Sequence, residues 1–408
     1  MTELRKQSIK ADDSFSIDAF GRWRVSEPYT IFDSKMVNDK QPLYYDEVTS
    51  GTGAATHDTN EASVTMSVST TGDYVIRQSF MRFNYQPGKS QQIFLTGIVK
   101  EPVANTESRI GYFNTSTTAP YTANRDGIYF GQDGTNNYVA ISFNGTENKI
   151  TQANWNIDPM DGTGPSGKTA DFDRVQIFFI DFEWLGVGRV RTGLVIDGKI
   201  FYIHEFNHAN EPGQTTVYMQ SPNHSVRYEA YSTGGSISMK QICASVASEG
   251  GVEASGVTRG ITTGGAEVTV GTAIEGVLFY RLNQNTPCTT LVLDNFSAID
   301  ISNNAGNFEY YLILNPTIAG TTLTWNLETN SAIDVALGNG DNTLTGGTIL
   351  LTGFATGDVP SVTIPSNLVI NPGVSIDGTF DIVAIAVRMI SGSDDFEAAA
   401  NIREVTCG

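Results

Sequence analysis

Apolar residues in this sequence come in short runs of strand length, separated by turns rich in glycine, asparagine and aspartate. In ASVTMSVST, residues 62–70, Val64, Met66 and Val68 alternate with small polar residues, which is the period of two of a half-buried strand. No long amphipathic helical period occurs, and only DDFEAAANIRE, residues 394–404, could form a helical turn. The sequence therefore predicts an all-β fold.

The strand-like runs fall into two groups, which predict two β-sandwich or jelly-roll-like domains at residues 31–247 and 270–408. The stretch between them, residues 248–269, is rich in Gly, Ser and Thr and predicts a linker. Residues 1–30 are polar and lack helical periodicity, so they predict an extended N-terminal arm. The 408 residues of the chain are enough for a sizeable core in more than one domain.

Four bulky aromatic or cationic residues stand out in the otherwise polar arm: Phe20, Arg22, Trp23 and Arg24. They predict that the arm anchors the chain to a neighbouring subunit. The alternative is a terminal segment that folds back on its own domain.

Charge and hydropathy limit the expected partners. The chain has 44 acidic and 25 basic residues, a net charge of −19, and no basic run, so nucleic acid is not expected as a partner. No apolar run approaches the ~18 residues that a membrane span needs, and the N-terminus has no signal-peptide pattern. Cys243, Cys288 and Cys407 lie far apart, which predicts neither a disulfide framework nor a zinc site and favours assembly in a reducing cytoplasm.

Residues 162–169 match the phosphate-binding loop pattern G-x-x-x-x-G-K-[ST]. That loop works only between a buried strand and a helix whose N-terminus faces the phosphates. Here Pro159 interrupts the entering segment, and the leaving segment is rich in β-formers from Val175 onward. The pattern therefore predicts a surface turn with Lys168 in solvent.

His204 to His208 match the zinc-protease pattern H-E-x-x-H, which needs a helix to aim both histidines at one metal. The surrounding residues are β-branched and aromatic, and in a strand the two side chains would lie ~13 Å apart at ~3.3 Å per residue. We therefore expect structural histidines, no cofactor and no enzyme. The sequence leaves open a glycosidase carboxylate pair and a calcium ion in the loop at residues 337–347.

Several segments resemble virion structural proteins of tailed bacteriophages, of a type common in marine phages. They include DAFGRWRVSEPYTIFDSK (18–35), RFNYQPGKSQQIFLTGI (82–98), DGTGPSGKTADF (161–172) and NFEYYLILNPTIAGTTL (307–323). The resemblance is dense over residues 18–246 and looser after residue 270. It implies a non-enzymatic part of a virion, assembled in the host cytoplasm, whose partners are other capsid or tail proteins.

Two functional hypotheses follow. The first is a head fibre or capsid decoration protein, expected to be a homotrimer and anchored by its N-terminal arm. The alternative is a tail fibre or receptor-binding adhesin whose C-terminal domain binds a host-surface glycan or protein. Exposed aromatic side chains would favour the adhesin, and Trp325 and Phe354 are the candidates unless both are core residues.

Overall fold

The computed structural model describes residues 17–251, 256–283, 289–302, 306–363 and 372–405. The predicted all-β fold of sandwich type is confirmed, because a single 3-10 turn, Gln152–Asn154, is the one helical element in these residues. Among the described segments, none contains a helix with the length and apolar character needed to cross a membrane. The chain divides into unit 1, within Met1–Ser79 and Tyr85–Glu253, and unit 2, within Phe80–Asn84 and Ala254–Gly408.

Unit 1 contains fifteen strands: β1 Pro28–Lys35, β2 Tyr45–Ser50, β3 Ala54–Asp58, β4 Ser63–Val68, β5 Tyr74–Ser79, β6 Gln91–Ile98, β7 Thr106–Asn114, β8 Asp126–Gln132, β9 Asn137–Phe143, β10 Thr146–Thr151, β11 Gln176–Phe182, β12 Val190–Ile196, β13 Lys199–Phe206, β14 Val226–Ser232 and β15 Ile237–Glu249. They form an eight-stranded sheet in the order β13-β12-β11-β6-β15-β4-β3, with β1 also paired to β15, and a seven-stranded sheet in the order β10-β9-β8-β7-β14-β5-β2. All pairings are antiparallel.

The two sheets of unit 1 pack face to face. Val64, Met66 and Val68 of β4 are buried as the period of two predicts. Aromatic rings join the layers, for example Phe130 of β8 to Phe178 of β11 at a centroid distance of 4.9 Å. Strands β8 and β14 are buried at every residue, so the centre of the seven-stranded sheet is covered on both faces.

Unit 2 contains thirteen strands: β16 Val257–Thr262, β17 Val268–Val270, β18 Glu275–Leu282, β19 Thr290–Asp300, β20 Asn307–Leu314, β21 Thr317–Ile318, β22 Asn326–Leu327, β23 Ile333–Leu337, β24 Leu344–Thr345, β25 Thr348–Thr356, β26 Asp358–Thr363, β27 Ile382–Met389 and β28 Asp394–Val405. Eleven of them form one sheet, β16-β28-β19-β26-β25-β20-β27-β18-β23-β22 with β17 on β28, and β21 pairs with β24.

The large sheet of unit 2 bends so that its two halves share a core. Phe308 of β20 meets Phe396 of β28 at a centroid distance of 4.8 Å, and both side chains are fully buried. Phe296 of β19 contacts Tyr310 of β20 within the same core, at a centroid distance of 6.0 Å. A smaller cluster around Phe279 packs on the opposite face of β18.

Two expectations about local structure are corrected. Residues 394–404 form strand β28 and no helical turn, because Phe396 and Ile402 are buried on alternating positions of a strand. Residues 248–269, expected to be a linker, contain β16 and most of β17, and both strands pair with β28. Glycine-rich composition indicated a loop, whereas Ile261 and Val268 contribute buried side chains to the core of unit 2.

Candidate functional site

Residues 17–24, here called the docked hairpin, form a small hairpin on unit 1. Ile17 pairs with Trp23 in an antiparallel bridge, and the Asp18 amide donates to the Arg22 carbonyl at 2.8 Å. The Asp18 carboxylate accepts hydrogen bonds from the Arg22 amide at 2.8 Å and from Arg22 Nε at 2.7 Å. Ile17 and Asp18 are buried. This part of the arm therefore folds back on its own unit, which is the alternative that the sequence left open.

A buried ion cluster centred on Asp181 holds the docked hairpin. The Asp181 carboxylate of β11 accepts from Arg24 at 2.6 Å, from Arg191 of β12, and from the Ser90 hydroxyl at 2.8 Å. Arg24 also lies 3.0 Å from the Glu249 carboxylate of β15. Burial raises the pKa of Glu249, and Arg24 offsets part of that rise. Arg24 is therefore part of the interior charge balance of unit 1.

The other three residues proposed for anchoring lie nearer to solvent. Trp23 is 61% exposed, and the Arg22 guanidinium lies over the half-buried Phe20 ring at 4.4 Å from its centroid. Val25, next along the chain, is 91% exposed. The structure thus leaves Arg22 and Trp23 exposed, whereas Arg24 belongs to the buried ion cluster.

The segment with the phosphate-loop pattern is a short hairpin. Asp161 bridges Thr169, and the Gly162 amide donates to the Lys168 carbonyl at 3.0 Å. Lys168 Nζ lies 2.9 Å from an Asp197 carboxylate oxygen, and both side chains are exposed. The chain then enters strand β11, so no helix N-terminus faces the loop. The expected surface turn is confirmed.

The two histidines of the zinc-protease pattern make separate structural contacts. His204 lies in β13, where its Nδ1 accepts from the Asn156 amide at 3.1 Å, and burial lowers its pKa to about 4. His208 Nδ1 donates to the Gly188 carbonyl at 2.7 Å, and its ring stacks on Tyr218 at 4.3 Å. Across the described residues, no three His, Cys, Asp or Glu side chains gather as a metal site would require.

The loop at residues 337–347 has internal uses for its polar groups. The Asp341 carboxylate accepts from the Thr321 amide at 3.1 Å and from the Thr321 hydroxyl at 2.7 Å. The Asn342 side-chain amide donates to the Thr321 carbonyl at 2.7 Å.

Cys243 is half-buried in β15. Cys288 and Cys407 lie outside the described residues.

Unit 1 also contains a buried charge cluster that the sequence analysis missed. Arg227, Arg109 and Arg125 surround the Glu229 carboxylate at 2.7, 3.0 and 3.4 Å. Burial alone would raise the pKa of Glu229, but the three guanidinium groups outweigh it and the pKa is lowered. The alternation of Arg227 and Glu229 on one strand is the only sequence signal, and it does not reveal partners on other strands. All four side chains are buried, so the cluster supports the fold and offers no open ligand site.

The outward surface of β25, β20 and β27 in unit 2 is here called the Phe354 face. It comprises Phe354, Thr352, Glu309 and Arg388, and Tyr311, on the same side of β20, is buried beside them in the Phe279 cluster. Phe354 of β25 lies opposite Glu309 of β20, which lies opposite Arg388 of β27, so the three side chains share one side of the sheet. Phe354 is 73% exposed, more than any other aromatic side chain that the structure describes.

Polar groups beside Phe354 are held in fixed positions. Arg388 Nη2 donates to Glu309 at 2.6 Å, and the Thr352 hydroxyl lies 3.4 Å from the same carboxylate. Hydrogen bonding from Tyr311 and Arg388 lowers the pKa of Glu309, so it is ionised at neutral pH. An exposed ring with an ionised carboxylate, a guanidinium and a hydroxyl alongside can stack on an apolar ring face and hydrogen-bond to hydroxyl groups.

Trp325, the other aromatic candidate, lies at the edge of a core. It packs against the cluster around Phe279, and the Arg281 guanidinium covers one ring face at 4.2 Å from the ring centroid. Arg281 is itself paired with Asp334 at 3.2 Å. One face of the Trp325 ring is therefore occupied within unit 2, whereas Phe354 points to solvent.

A scan against protein-family models and a search of curated proteins both gave no match. Among solved structures, the carbohydrate recognition domain of Emp47p is similar at 7% identity and a TM-score of 0.35, covering 54% of this chain and 96% of that chain. The exoplasmic/lumenal domain of VIP36 is similar at 11% identity and a TM-score of 0.32, covering 52% of this chain and 89% of that chain. A glycoside hydrolase family protein from Mycobacterium thermorestibile is similar at 8% identity and a TM-score of 0.35, covering 53% of this chain and 99% of that chain. These likenesses carry no functional argument.

Proposed function

We propose that this chain is a non-enzymatic binding protein of a tailed-phage particle and that unit 2 binds a host-surface glycan at the Phe354 face. The observation that carries the proposal is the Phe354 ring, 73% exposed beside the Glu309–Arg388 pair. A single exposed ring needs no ligand to explain it, but here the ring lies on an ordered strand beside an ion pair and a hydroxyl group, and this combination offers both the apolar and the polar contacts that a sugar makes.

The chemistry of the face favours a sugar over other ligands. A pyranose ring has an apolar C–H face that stacks on an aromatic ring and hydroxyl groups that both donate and accept. Glu309 can accept from a hydroxyl, while Thr352 and Arg388 can donate to one. With strands ~4.8 Å apart, β25 and β27 are ~10 Å apart, a span that two linked sugar rings cover.

The charge of the protein indicates which glycans to expect. The net charge of −19 repels acidic ligands at long range, and Arg388 is already paired with Glu309. We therefore expect a neutral glycan. Acidic sugars such as uronic acids should bind more weakly at low ionic strength and gain affinity as salt is added.

A glycan array probed with the full chain tests this proposal. The wild-type chain should bind a restricted set of neutral glycans, and Phe354→Ala should lose that binding. Trp23→Ala is the matched control, because Trp23 is also an exposed aromatic residue but lies in unit 1. A wild-type chain that binds no glycan, or equal binding by Phe354→Ala, would contradict the proposal.

A head fibre or decoration protein is the second candidate, and the exposed Arg22 and Trp23 side chains favour it. Deletion of residues 1–30 would be ambiguous, because Arg24 belongs to the ion cluster around Asp181. The double variant Arg22→Ala, Trp23→Ala keeps Arg24 and removes the exposed side chains. If these side chains anchor the chain, the variant should fold normally but be depleted from purified particles. Normal incorporation would count against anchoring at this place.

A further inference from the structure

Strand β1 forms an edge of the eight-stranded sheet of unit 1. Among the described strands it pairs with β15 alone. Strand β13, at the end of the same sheet, is covered differently: the Asn156 side chain bonds both backbone groups of Glu205, at 2.9 Å each. An edge without such a cover presents backbone groups to a further strand.

The hydrogen-bond pattern shows which residues of β1 direct their backbone outward. The Met36 amide donates to the Ile242 carbonyl of the segment that β1 pairs with. In an antiparallel ladder, residues alternate between facing one neighbour and facing the other. Ser34 therefore directs its backbone groups toward β15, while Asp33 and Lys35 direct theirs to the open side.

The charges on the open side are self-complementary about Ser34. If β1 pairs antiparallel with a copy of itself about Ser34, Asp33 lies opposite Lys35 of the second copy, and Lys35 lies opposite Asp33. An axis at Asp33 or at Lys35 would instead place like charges opposite each other, which disfavours those registers.

Exposed apolar side chains flank β1 along the sequence. Of the nine exposed large hydrophobic side chains that the structure describes in unit 1, six lie within residues 23–44: Trp23, Val25, Tyr29, Val37, Leu43 and Tyr44. Such a concentration marks a contact surface. Tyr29 belongs to β1, and the other five residues precede or follow this strand closely in the chain.

We propose that β1 pairs with β1 of a second copy of this chain about a two-fold axis at Ser34, which joins two eight-stranded sheets into one. The contact is isologous, so it makes a dimer. Asp33 and Lys35 lie 3.3 Å apart within one chain, and their side chains are 60% and 66% exposed. On pairing, Asp33 and Lys35 of each chain give up this weak contact and instead form ion pairs with Lys35 and Asp33 of the second copy. This inference does not depend on the glycan proposal.

Charge reversal in the full chain tests the pairing, with sedimentation velocity as the readout. The wild-type chain should sediment as a dimer. Asp33→Lys sets two lysines opposite each other at both ends of the pairing, and it should weaken dimerisation at least ~10-fold. The double variant Asp33→Lys, Lys35→Asp restores opposite charges across the axis and should restore the dimer.

Two controls keep the result unambiguous. Asp171→Lys reverses an exposed charge elsewhere in unit 1, where Asp171 pairs with Arg174, and should leave the dimer intact. Circular dichroism should show unchanged folding in every variant, since all of these side chains are exposed. A wild-type monomer or trimer, an unaffected Asp33→Lys variant, or a well-folded double variant that stays monomeric would overturn the proposal.

Discussion

The substitution Asp181→Asn tests how unit 1 holds its N-terminal segment. Asn keeps the size of the side chain and one acceptor oxygen but removes the charge that Arg24 and Arg191 share. The side chains of Arg24 and Arg191 are 9% and 1% exposed, so their charges would be left in the interior. Arg24 keeps Glu249 at 3.0 Å, whereas Arg191 keeps the Ile17 carbonyl at 2.8 Å and the Tyr202 ring at 4.4 Å but no carboxylate partner at such distances among the described residues.

The magnitude follows from the burial of these groups. Removing one partner of a buried ion pair costs roughly 3–5 kcal/mol, because the remaining charge is left without compensation. Since Asn still accepts one hydrogen bond and Glu249 still pairs with Arg24, we expect a loss of stability at the lower end of this range, about 3 kcal/mol. Asp171→Asn breaks an exposed pair whose side chains are 81% and 48% exposed, and it should cost less than ~1 kcal/mol.

Hydrogen exchange of peptides from β11 and β12 measures the effect within unit 1 alone, because both strands belong to that unit. Protection factors there should fall by about two orders of magnitude in Asp181→Asn, and peptides from the docked hairpin should exchange fastest. Protection in Asp171→Asn should match wild type. If Asp181→Asn also matched wild type, the ion cluster would not be what holds the hairpin.

Three further predictions concern stability and binding. Phe354→Ala should lower the free energy of unfolding by at most about 1 kcal/mol, because only ~50 Å² of the Phe354 surface is buried. Phe308 is fully buried, so Phe308→Ala should lower it by ~3–5 kcal/mol, and urea unfolding of unit 2 compares the two variants. Glu229 has a lowered pKa in the folded state, so its ionised form stabilises the fold at neutral pH, and this stabilisation is lost as the pH falls through the lowered pKa. The urea midpoint of unfolding should therefore decrease below about pH 4, and it should decrease less steeply in Glu229→Gln. Lys168→Ala should leave ATP binding at the wild-type background in equilibrium dialysis, and a binding constant that this substitution reduces would revive the nucleotide hypothesis.

The all-β fold could be predicted because strand periodicity is local. In β4 the alternation of Val64, Met66 and Val68 is visible in the sequence and buried as expected. In β28 the same alternation is carried by Ala398, Ala400 and Ile402, and alanine also favours helices. Pairing with β16 and β19 selects the strand, and those neighbours cannot be identified from residues 394–404 alone.

The candidate sites could be predicted only in part, because their chemistry depends on residues far apart in the chain. Arg24 was singled out as an unusual cation, but its partner Asp181 lies 157 residues away, and only the fold shows that the two meet. Phe354 was named as an aromatic candidate, yet the sequence could not tell an outward position on β25 from an inward one. Exposure separates Phe354 from Trp325, and exposure is a property of packing.

Hydroxyl-radical footprinting of the full chain, with and without the neutral glycan that it binds best, shows whether the glycan covers the Phe354 face. Oxidation of Phe354 should fall when the glycan is present, while oxidation of Trp23, which is also exposed, should not change. Protection confined to some other part of the chain, with Phe354 as reactive as before, would contradict the assignment of the glycan to the Phe354 face.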